Sequence, residues 1–256
     1  MSASHRIRSY LAHFFRAKRK GHGVHSPFVY ELARDVFWDQ LPNDPHPAED
    51  WRKICLADTS TIDVKDFGTG TSGPRRICDI ARSAAKPMKQ GRLLERLLMH
   101  FRPAHMLELG TSLGITTLYQ AAVDAHEKFI SIEGCPETAR IAAQQLREAK
   151  MEAEVVTGNF DEVLPDILKN FPRLDYVFFD GNHRLAPTLR YFELCLPLAH
   201  ENSIFIFDDI HWSLEMEEAW KRICAHERVT VSIDLFDLGL VFFRKEQVKE
   251  HFVLKY

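Results

Sequence analysis

The sequence predicts an α/β fold in which a doubly wound, mostly parallel sheet is covered by helices on both faces. From residue 104 onward, short apolar runs alternate with segments that repeat apolar residues at helical spacing, which is typical of parallel strands joined by crossover helices. Only Phe236 and Asp237 separate the last two apolar runs, so these runs form an antiparallel hairpin. We therefore predict five parallel strands, a C-terminal antiparallel hairpin that makes seven strands in all, and a helical N-terminal extension.

The apolar pattern places each element along the chain. In the extension it predicts helices over 5–20, 27–37, 48–57, 77–85 and 91–101. The second of these begins at Ser26 and Pro27, a capping residue followed by proline at the first helical position. Beyond the extension, strands are predicted over 104–109, 128–132, 153–157, 174–180, 203–208, 229–235 and 238–244, with helices over 114–124, 136–150, 161–170, 185–199 and 213–227.

Length and composition indicate one α/β domain with an extension. The chain has 256 residues, of which 45% are hydrophobic, and a single domain of this size is ordinary. We place a helical extension or lid at 1–103 and the ligand-binding domain at 104–256. The five cysteines are scattered, which predicts reduced and mostly buried thiols. Because there is neither a long apolar run nor the apolar core of a signal peptide, we expect a cytoplasmic protein.

The N-terminal helix is basic. Residues 1–103 hold 18 Lys and Arg against 11 Asp and Glu, whereas the net charge of the whole chain is −3. No acid precedes Glu31, and the first basic residues are Arg6, Arg8, Arg16, Lys18, Arg19 and Lys20. Residues 5–20 could touch an anionic membrane surface or capture an acidic substrate. Alternatively, the helix packs its apolar stripe on the domain and solvates its charges, which is the interpretation that we favour.

A glycine turn follows the first strand of the domain. Gly110 lets the chain turn with positive φ, and Gly114 lets the first helical turn approach a ligand without an intervening Cβ. A dinucleotide site would need glycines at 110, 112 and 115, but Ser112 and Ile115 occupy two of these positions, which disfavours NAD. Glu108 would repel a pyrophosphate but could attract a sulfonium or amino group.

The spacing Glu108-x-Gly110-x-x-x-Gly114 resembles motif I of the class I S-adenosylmethionine-dependent methyltransferases, and the similarity extends over roughly residues 104–244. It implies a Rossmann-like sheet and S-adenosylmethionine as the cofactor. A carboxylate at the end of the second strand suits two ribose hydroxyls. Asn159 can contact adenine or simply cap the next helix. The expected cofactor residues are Glu108, Gly110, Thr111, Ser112, Gly114, Glu133, Asn159, Phe160 and Asp180.

Acidic and imidazole side chains follow the fourth and fifth strands. The fourth strand ends at Asp180, with His183 shortly after it, and the fifth ends at Asp208 and Asp209, followed by His211. Carboxylates gathered at one sheet edge need a cation or a basic partner. These segments resemble the catechol and caffeoyl-CoA O-methyltransferases, in which an Asp and an Asp-Asn pair hold magnesium.

Carried over by position, the resemblance implies that Asp180, Asp208 and Asp209 would hold Mg²⁺. The chain departs from the pattern because Asp209 stands where that family favours Asn, and Gly-Asn-His follows Asp180. Without a metal, Asp180 or His183 would deprotonate the acceptor hydroxyl, since an imidazole pKa near 6.5 suits a general base. We therefore take Asp180, His183 and Asp208 as catalytic candidates, and His211 as a structural residue.

A second glycine pattern, Gly68–Gly73, matches G-x-G-x-x-G. The preceding segment is a poor buried strand and Pro74 follows it, which argues against a dinucleotide site. The loop could lie at the mouth of the active site, where Arg75 and Arg76 would meet an acidic substrate. Turn structure alone also explains the glycines.

The resemblance implies O-methylation of a small-molecule hydroxyl, with the N-terminal helices forming a lid and acceptor pocket. A nucleic-acid methyltransferase is an alternative, supported by the basic extension but disfavoured because no Asn/Asp-Pro-Pro-Tyr motif is present. A catalytically silent cofactor-binding or membrane-surface scaffold is a third hypothesis. A homodimer is compatible with the sequence, which does not identify the acceptor.

Overall fold

The computed structural model describes residues 3–18, 24–38, 44–68, 71–124 and 126–256. Residues 19 and 20 of the first predicted helix and residues 69 and 70 of the second glycine pattern lie outside these ranges. The helices are α1 (Ala3–Arg16), α2 (Pro27–Leu32), which continues as a π-helical turn (Ala33–Phe37), α3 (Pro47–Ala57), α4 (Ile77–Ala84), α5 (Met88–Phe101), α6 (Ile115–Ala121), α7 (Pro136–Glu148), α8 (Phe160–Leu168), α9 (Leu185–Cys195), followed by a 3₁₀ turn (Leu196–Leu198), and α10 (Leu214–Ala225).

The strands alternate with the helices from β3 onward, as the sequence predicts. They are β1 (Thr61–Val64), β2 (Gly73–Arg76), β3 (His105–Leu109), β4 (Lys128–Glu133), β5 (Glu154–Thr157), β6 (Leu174–Phe179), β7 (Ala199–Asp208), β8 (Val231–Asp234), β9 (Leu238–Phe242) and β10 (Glu250–Val253). The chain divides into two compact units, which we call the middle unit (residues 40–170) and the terminal unit (residues 1–39 and 171–256).

The middle unit contains three parallel strands in the order β3-β4-β5. Helices α3 and α5 pack against α6. The Trp51 indole of α3 donates to the carbonyl of Leu113, just before α6, at 2.7 Å, and Gly91 of α5 leaves room for the Tyr119 ring of α6. Segments on both sides of residue 103 thus share one unit. The predicted division between residues 103 and 104 does not coincide with the division between the units.

The predicted extension is not entirely helical. Strands β1 and β2 pair antiparallel, with Thr61 opposite Arg76 and Val64 opposite Gly73. The last residue of the second glycine pattern, Gly73, therefore begins the second strand of a hairpin, and its φ is 141°, which a glycine adopts at low cost. The all-helical prediction was wrong because alternation over four residues is too short a signal to distinguish a strand from a loop.

The terminal unit contains five strands in the order β10-β8-β9-β7-β6. Strands β6 and β7 are parallel, and β8 and β9 form the predicted antiparallel hairpin. Strand β10 pairs parallel with β8 and was not predicted, because only one of its four residues is fully buried. Together β3 to β10 are eight strands instead of seven. The predicted α/β class, with mostly parallel strands, is confirmed.

Helix α1 lies on the terminal unit through its polar face. Ser9 donates to Glu217 at 2.6 Å, and the His13 ring is buried, 3.3 Å from the Asp234 carboxylate. In contrast, Ile7 and Phe15 are 60% and 82% exposed. The expectation that the apolar stripe packs on the domain was therefore wrong, because the helix instead turns its imidazole and hydroxyl groups toward buried Asp234 and half-buried Glu217.

Two further sequence expectations can be compared with the described residues. All five cysteines are free thiols, and each except Cys224 is buried, as predicted. Within the described ranges, the structure shows no helix that is long and apolar enough to cross a bilayer.

Candidate active site

The glycine turn after β3 has the backbone geometry that its sequence predicts. Gly110 has a φ of 110°, and its N–H donates to the Ile132 carbonyl at 2.9 Å. Ser112 and Gly114 also have positive φ angles, of 50° and 77°. A Cβ on Gly114 would lie 3.0 Å from the Cβ of Ala142 on α7. The close approach at Gly114 is therefore to a helix, and the expectation that this glycine makes room for a ligand has no support in the geometry.

Glu108 lies beneath the turn and does not reach the surface. Its side chain is 0% exposed, and its carboxylate accepts hydrogen bonds of 2.5–2.6 Å from Thr117, Gln120 and Ser131. The Ser131 hydroxyl is also 2.5 Å from the hydroxyl of Thr111. Glu108 thus connects β3, β4 and α6, and its contact with the cofactor stays a prediction.

Burial determines the protonation of Glu108. Removal from water raises the pKa of this carboxyl to about 7, although hydrogen bonds from Ser131, Thr117 and Gln120 act in the opposite direction. Sequence reasoning missed these three partners. Each is a polar residue inside an otherwise buried strand or helix, and such residues usually hydrogen-bond to one another.

Glu133 ends β4 and orients the turn from the other side. Its two carboxylate oxygens accept from the backbone N–H of Ser112 at 2.7 Å and of Cys135 at 2.9 Å. Burial raises the pKa of Glu133 despite these amide hydrogen bonds. The carboxylate therefore joins the ends of β3 and β4, at the strand end where nucleotide riboses bind in this class of sheet.

Asn159 and Phe160 follow β5 as the sequence predicts. The Asn159 side chain accepts from the Asp161 N–H at 3.2 Å and caps α8, and Phe160 is buried at the first position of that helix. The capping alternative thus describes the contact that Asn159 makes. Its contact with adenine stays a prediction.

In the terminal unit, the ends of β6 and β7 bring three predicted residues together. Single ligand atoms of Asp180, His183 and Asp208 all lie within 4.8 Å of one another. His183 Nε2 is 3.8 Å from Asp180 Oδ1, and Asp208 is buried. Asn182, between the first two, has a φ of 54°, which turns the chain so that His183 faces back toward Asp180.

Asp209 is not a member of this cluster among the described residues. It follows the end of β7 with a φ of 53°, and its carbonyl accepts from the Trp212 N–H. An imidazole thus replaces the third carboxylate of the expected metal set. Two carboxylates and one imidazole fit a divalent cation, but Mg²⁺ prefers oxygen ligands alone, whereas Mn²⁺, Fe²⁺ or Zn²⁺ accept such a mixed set.

His211 takes no part in that cluster. Its ring is 3.0 Å from Glu217 and 2.8 Å from Asp234, and it stacks on Phe236. Burial lowers the pKa of His211, but hydrogen bonds and charge from Asp234 and Glu217 outweigh that effect and raise it overall. These contacts are those of a structural residue that connects the end of β7 with α10 and β8.

The arginines after the hairpin loop have partners within their own unit. Arg75 pairs with Asp66 at 3.2 Å, and Arg76 pairs with Asp79 at 2.7 Å. Their proposed encounter with an acidic substrate would have to compete with these ion pairs.

Comparison with known proteins agrees with this geometry. Residues 107–210 match the family model of a methyltransferase domain. Over 125 residues, which are 47% of this chain, the sequence is 26% identical to a catechol O-methyltransferase from Niastella koreensis. Over 83 residues, or 31% of the chain, it is 36% identical to a transmembrane O-methyltransferase from Propithecus coquereli. The chain spans 56% and 30% of the lengths of these two curated relatives.

A solved structure supports the same fold. The structure of an O-methyltransferase from Bacillus cereus in complex with SAH matches 84% of this chain and 97% of its own, with a TM-score of 0.59 and 19% identity. The predicted resemblance is therefore confirmed. Residues 107–210 are similar to a methyltransferase domain, and the relatives and the solved structure that the chain resembles are O-methyltransferases.

Proposed function

We propose that this protein binds S-adenosylmethionine and transfers its methyl group to the hydroxyl oxygen of a small molecule. The observation that carries the proposal is the Glu133 carboxylate, which two backbone amides orient beside the glycine turn. The similarity to a catechol O-methyltransferase and to a structure solved with SAH supports both the cofactor and the reaction class.

The cofactor would bind along the ends of β3, β4 and β5. Glu133 would accept hydrogen bonds from the two ribose hydroxyls, as carboxylates do in related sheets. Thr111 and Ser112 would present backbone to the amino-acid part, while Asn159 and Phe160 would border adenine. In this proposal Glu108 positions the turn from beneath.

Methyl transfer from a sulfonium requires mainly that the reacting groups are positioned correctly. The sulfonium methyl is already activated, so the protein must hold an acceptor oxygen in line at about 3–3.5 Å and remove its proton. Asp180 and His183 can take that proton directly, since they are partly exposed and lie within 3.8 Å of each other. A divalent cation held by Asp180, His183 and Asp208 would lower the pKa of the acceptor hydroxyl.

Isothermal titration calorimetry of the full chain with S-adenosylmethionine tests the cofactor site. We expect the Glu133→Gln variant to bind about 10- to 100-fold more weakly, because a hydrogen bond to a charged group is lost. Glu137→Gln, four residues away on α7 and partnered by exposed Arg140, is the matched control and should bind as the wild type does. Equal binding by Glu133→Gln, or no binding by the wild type, would contradict the proposal.

An acceptor screen then tests the reaction. Release of S-adenosylhomocysteine is measured with catechol and other small hydroxyl compounds, with and without EDTA, and after addition of Mg²⁺ or Mn²⁺. Loss of turnover in EDTA that Mn²⁺ restores better than Mg²⁺ would support a metal at the Asp180, His183 and Asp208 cluster. Turnover that EDTA leaves unchanged would assign the proton to Asp180 or His183.

The sequence also predicts the class of acceptor, the location, the oligomeric state and the role of the N-terminal helices. The names of the relatives favour a small molecule over a nucleic acid as acceptor. A cytoplasmic location, a homodimer and a lid role for the N-terminal helices stay predictions.

A further inference from the structure

We propose that helix α1 attaches this protein to an anionic lipid bilayer surface. The contact would be made by its outward apolar stripe, which we define as Ile7, Leu11, Phe14 and Phe15. The proposal concerns a surface of the terminal unit and does not depend on the methyl-transfer reaction.

The stripe is exposed although it is strongly apolar. Ile7, Leu11 and Phe15 are 60%, 48% and 82% exposed, and Phe14 is exposed as well. Residues spaced by four, seven and eight positions share one face of a helix. A contiguous apolar face left on the surface marks an interaction site more often than an isolated exposed residue does.

The opposite face holds the helix in this orientation. His13 and Ser9 contact Asp234 and Glu217, and Arg6 pairs with Asp237 at 3.1 Å. Turning the stripe inward would break all three interactions and remove one of the two imidazoles beside the buried Asp234 carboxylate, which is costly. The contacts of Arg6, Ser9 and His13 thus hold α1 with its apolar stripe outward.

The basic side chains on and beside α1 indicate that the stripe fits an anionic surface. The first acid of the chain is Glu31, so every charged side chain of α1 is basic. Arg8 is exposed beside the stripe on the helix, and the Lys255 ammonium lies 3.3 Å from the centre of the Phe14 ring. An amphipathic helix with aromatic residues on one face and cations beside them suits an interface of anionic headgroups.

A second copy of the chain fits the same face less well. In a two-fold pairing the stripe would meet itself, which would bring Arg8 and Lys255, the cations beside the stripe, close to those of the other protomer. Like charges across an interface are unfavourable. A bilayer that contains anionic lipid has complementary charge and no such repulsion.

Vesicle flotation of the full chain tests the proposal. We expect wild-type protein to float with vesicles of phosphatidylcholine mixed with phosphatidylglycerol, and to remain unbound with phosphatidylcholine alone. The combined Ile7→Ser, Leu11→Ser and Phe15→Ser variant should lose at least about tenfold in partitioning. The matched control replaces Ile54, Leu214 and Val248 by Ser, since these residues are also 57–86% exposed but lie outside α1, and it should float as the wild type does.

A second pair of variants tests how much the basic residues contribute to vesicle binding. Arg8→Gln combined with Lys255→Gln should weaken partitioning about fivefold per lost charge, and added salt should weaken that of the wild type. Arg140→Gln combined with Arg147→Gln, on the exposed face of α7, should change nothing. Thermal unfolding and cofactor titration of each variant verify that the fold is intact.

Three outcomes would overturn the proposal. They are failure of the wild type to float with anionic vesicles, equal flotation of the stripe variant, and equal flotation with neutral vesicles. A dimer seen by light scattering that the stripe variant dissociates, together with no flotation, would assign the stripe to contact between copies.

Discussion

Two buried acids, Glu108 in the middle unit and Asp234 in the terminal unit, respond to burial in opposite ways. Glu108 accepts hydrogen bonds only from neutral hydroxyl and amide groups, and its pKa rises to about 7. Asp234 accepts from His13, His211 and the Phe236 N–H, and its pKa falls well below its usual range.

The comparison shows that the charge of the donors decides the sign of the shift. Burial acts to raise the pKa of both acids. At Asp234 the hydrogen bonds from His13 and His211 and the charge of His211 outweigh burial. Neutral donors at Glu108 do not. Glu108 therefore organises the glycine turn as a partly neutral group, and Asp234 holds α1 and the end of β7 as an anion.

The largest expected effect is the loss of stability when Glu108 is replaced. Glu108→Ala should lower the free energy of unfolding by about 4 kcal/mol, because Thr117, Gln120 and Ser131 lose their acceptor and a cavity remains. Glu108→Gln should cost only about 1 kcal/mol, since an amide resembles the neutral carboxyl. Urea unfolding measures both variants. Equal losses would show that the charge, not the hydrogen-bonded shape, is what the network needs.

The second effect is a pH dependence of opposite sign in the two regions. The folded pKa of Glu108, about 7, exceeds its ordinary 4.5, so its contribution is present at low pH and is lost as the pH rises from 4.5 to 7, by about 3 kcal/mol. Asp234 contributes above its ordinary 3.8, and that contribution is lost as the pH falls toward its lower folded pKa.

Urea unfolding across this pH range isolates the Glu108 contribution when Glu108→Gln is subtracted from the wild type. The difference should decline from pH 4.5 to 7 and be flat above. A difference that is independent of pH would refute the neutral state of this carboxyl.

The smallest effect concerns the anchoring of α1. His211 lies between Glu217 of α10 and Asp234 of β8, with the His13 ring of α1 beside it. Its folded pKa is raised above 6.5, so the stabilisation is complete below pH 6.5 and is lost as the pH rises through the folded value. Hydrogen exchange protection of α1 amides should therefore fall at alkaline pH.

His211→Asn should show lower protection of α1 at low pH and little further change as the pH rises, because no imidazolium is then present to be lost. Helix α7 in the middle unit is the internal reference. If α1 and α7 lose protection in parallel in the wild type, the change is global and does not arise from the His211 contacts.

Most elements of the fold were predictable because their signals are local. Strands β3 to β9 and helices α6 to α10 have the apolar period of their kind, and the predicted bounds agree closely with the observed ones for β3, 104–109 against His105–Leu109. The β1–β2 hairpin and β10 were missed. Their residues are half exposed, so no apolar alternation distinguishes them from loops.

The sequence predicted which residues lie at the site better than it predicted the contacts that those residues make. Asp180, His183 and Asp208 were expected together because parallel strands end at one edge, and they lie together. The inward role of Glu108 and the contact of Gly114 with Ala142 were not expected. Those depend on what residues far along the chain place beneath the turn.

By itself, the sequence determined the α/β class, the positive-φ glycine turn after β3, and the residues at each strand end. These follow from periodicity, backbone freedom and charge, which are properties of short segments. Only the tertiary structure decided that Glu108 is buried, that Asp209 and His211 lie outside the cluster at the ends of β6 and β7, and that α1 presents its apolar stripe outward. The reason is physical, since burial and pairing depend on partners brought from distant parts of the chain, such as Ser131 for Glu108 and Asp234 for His13.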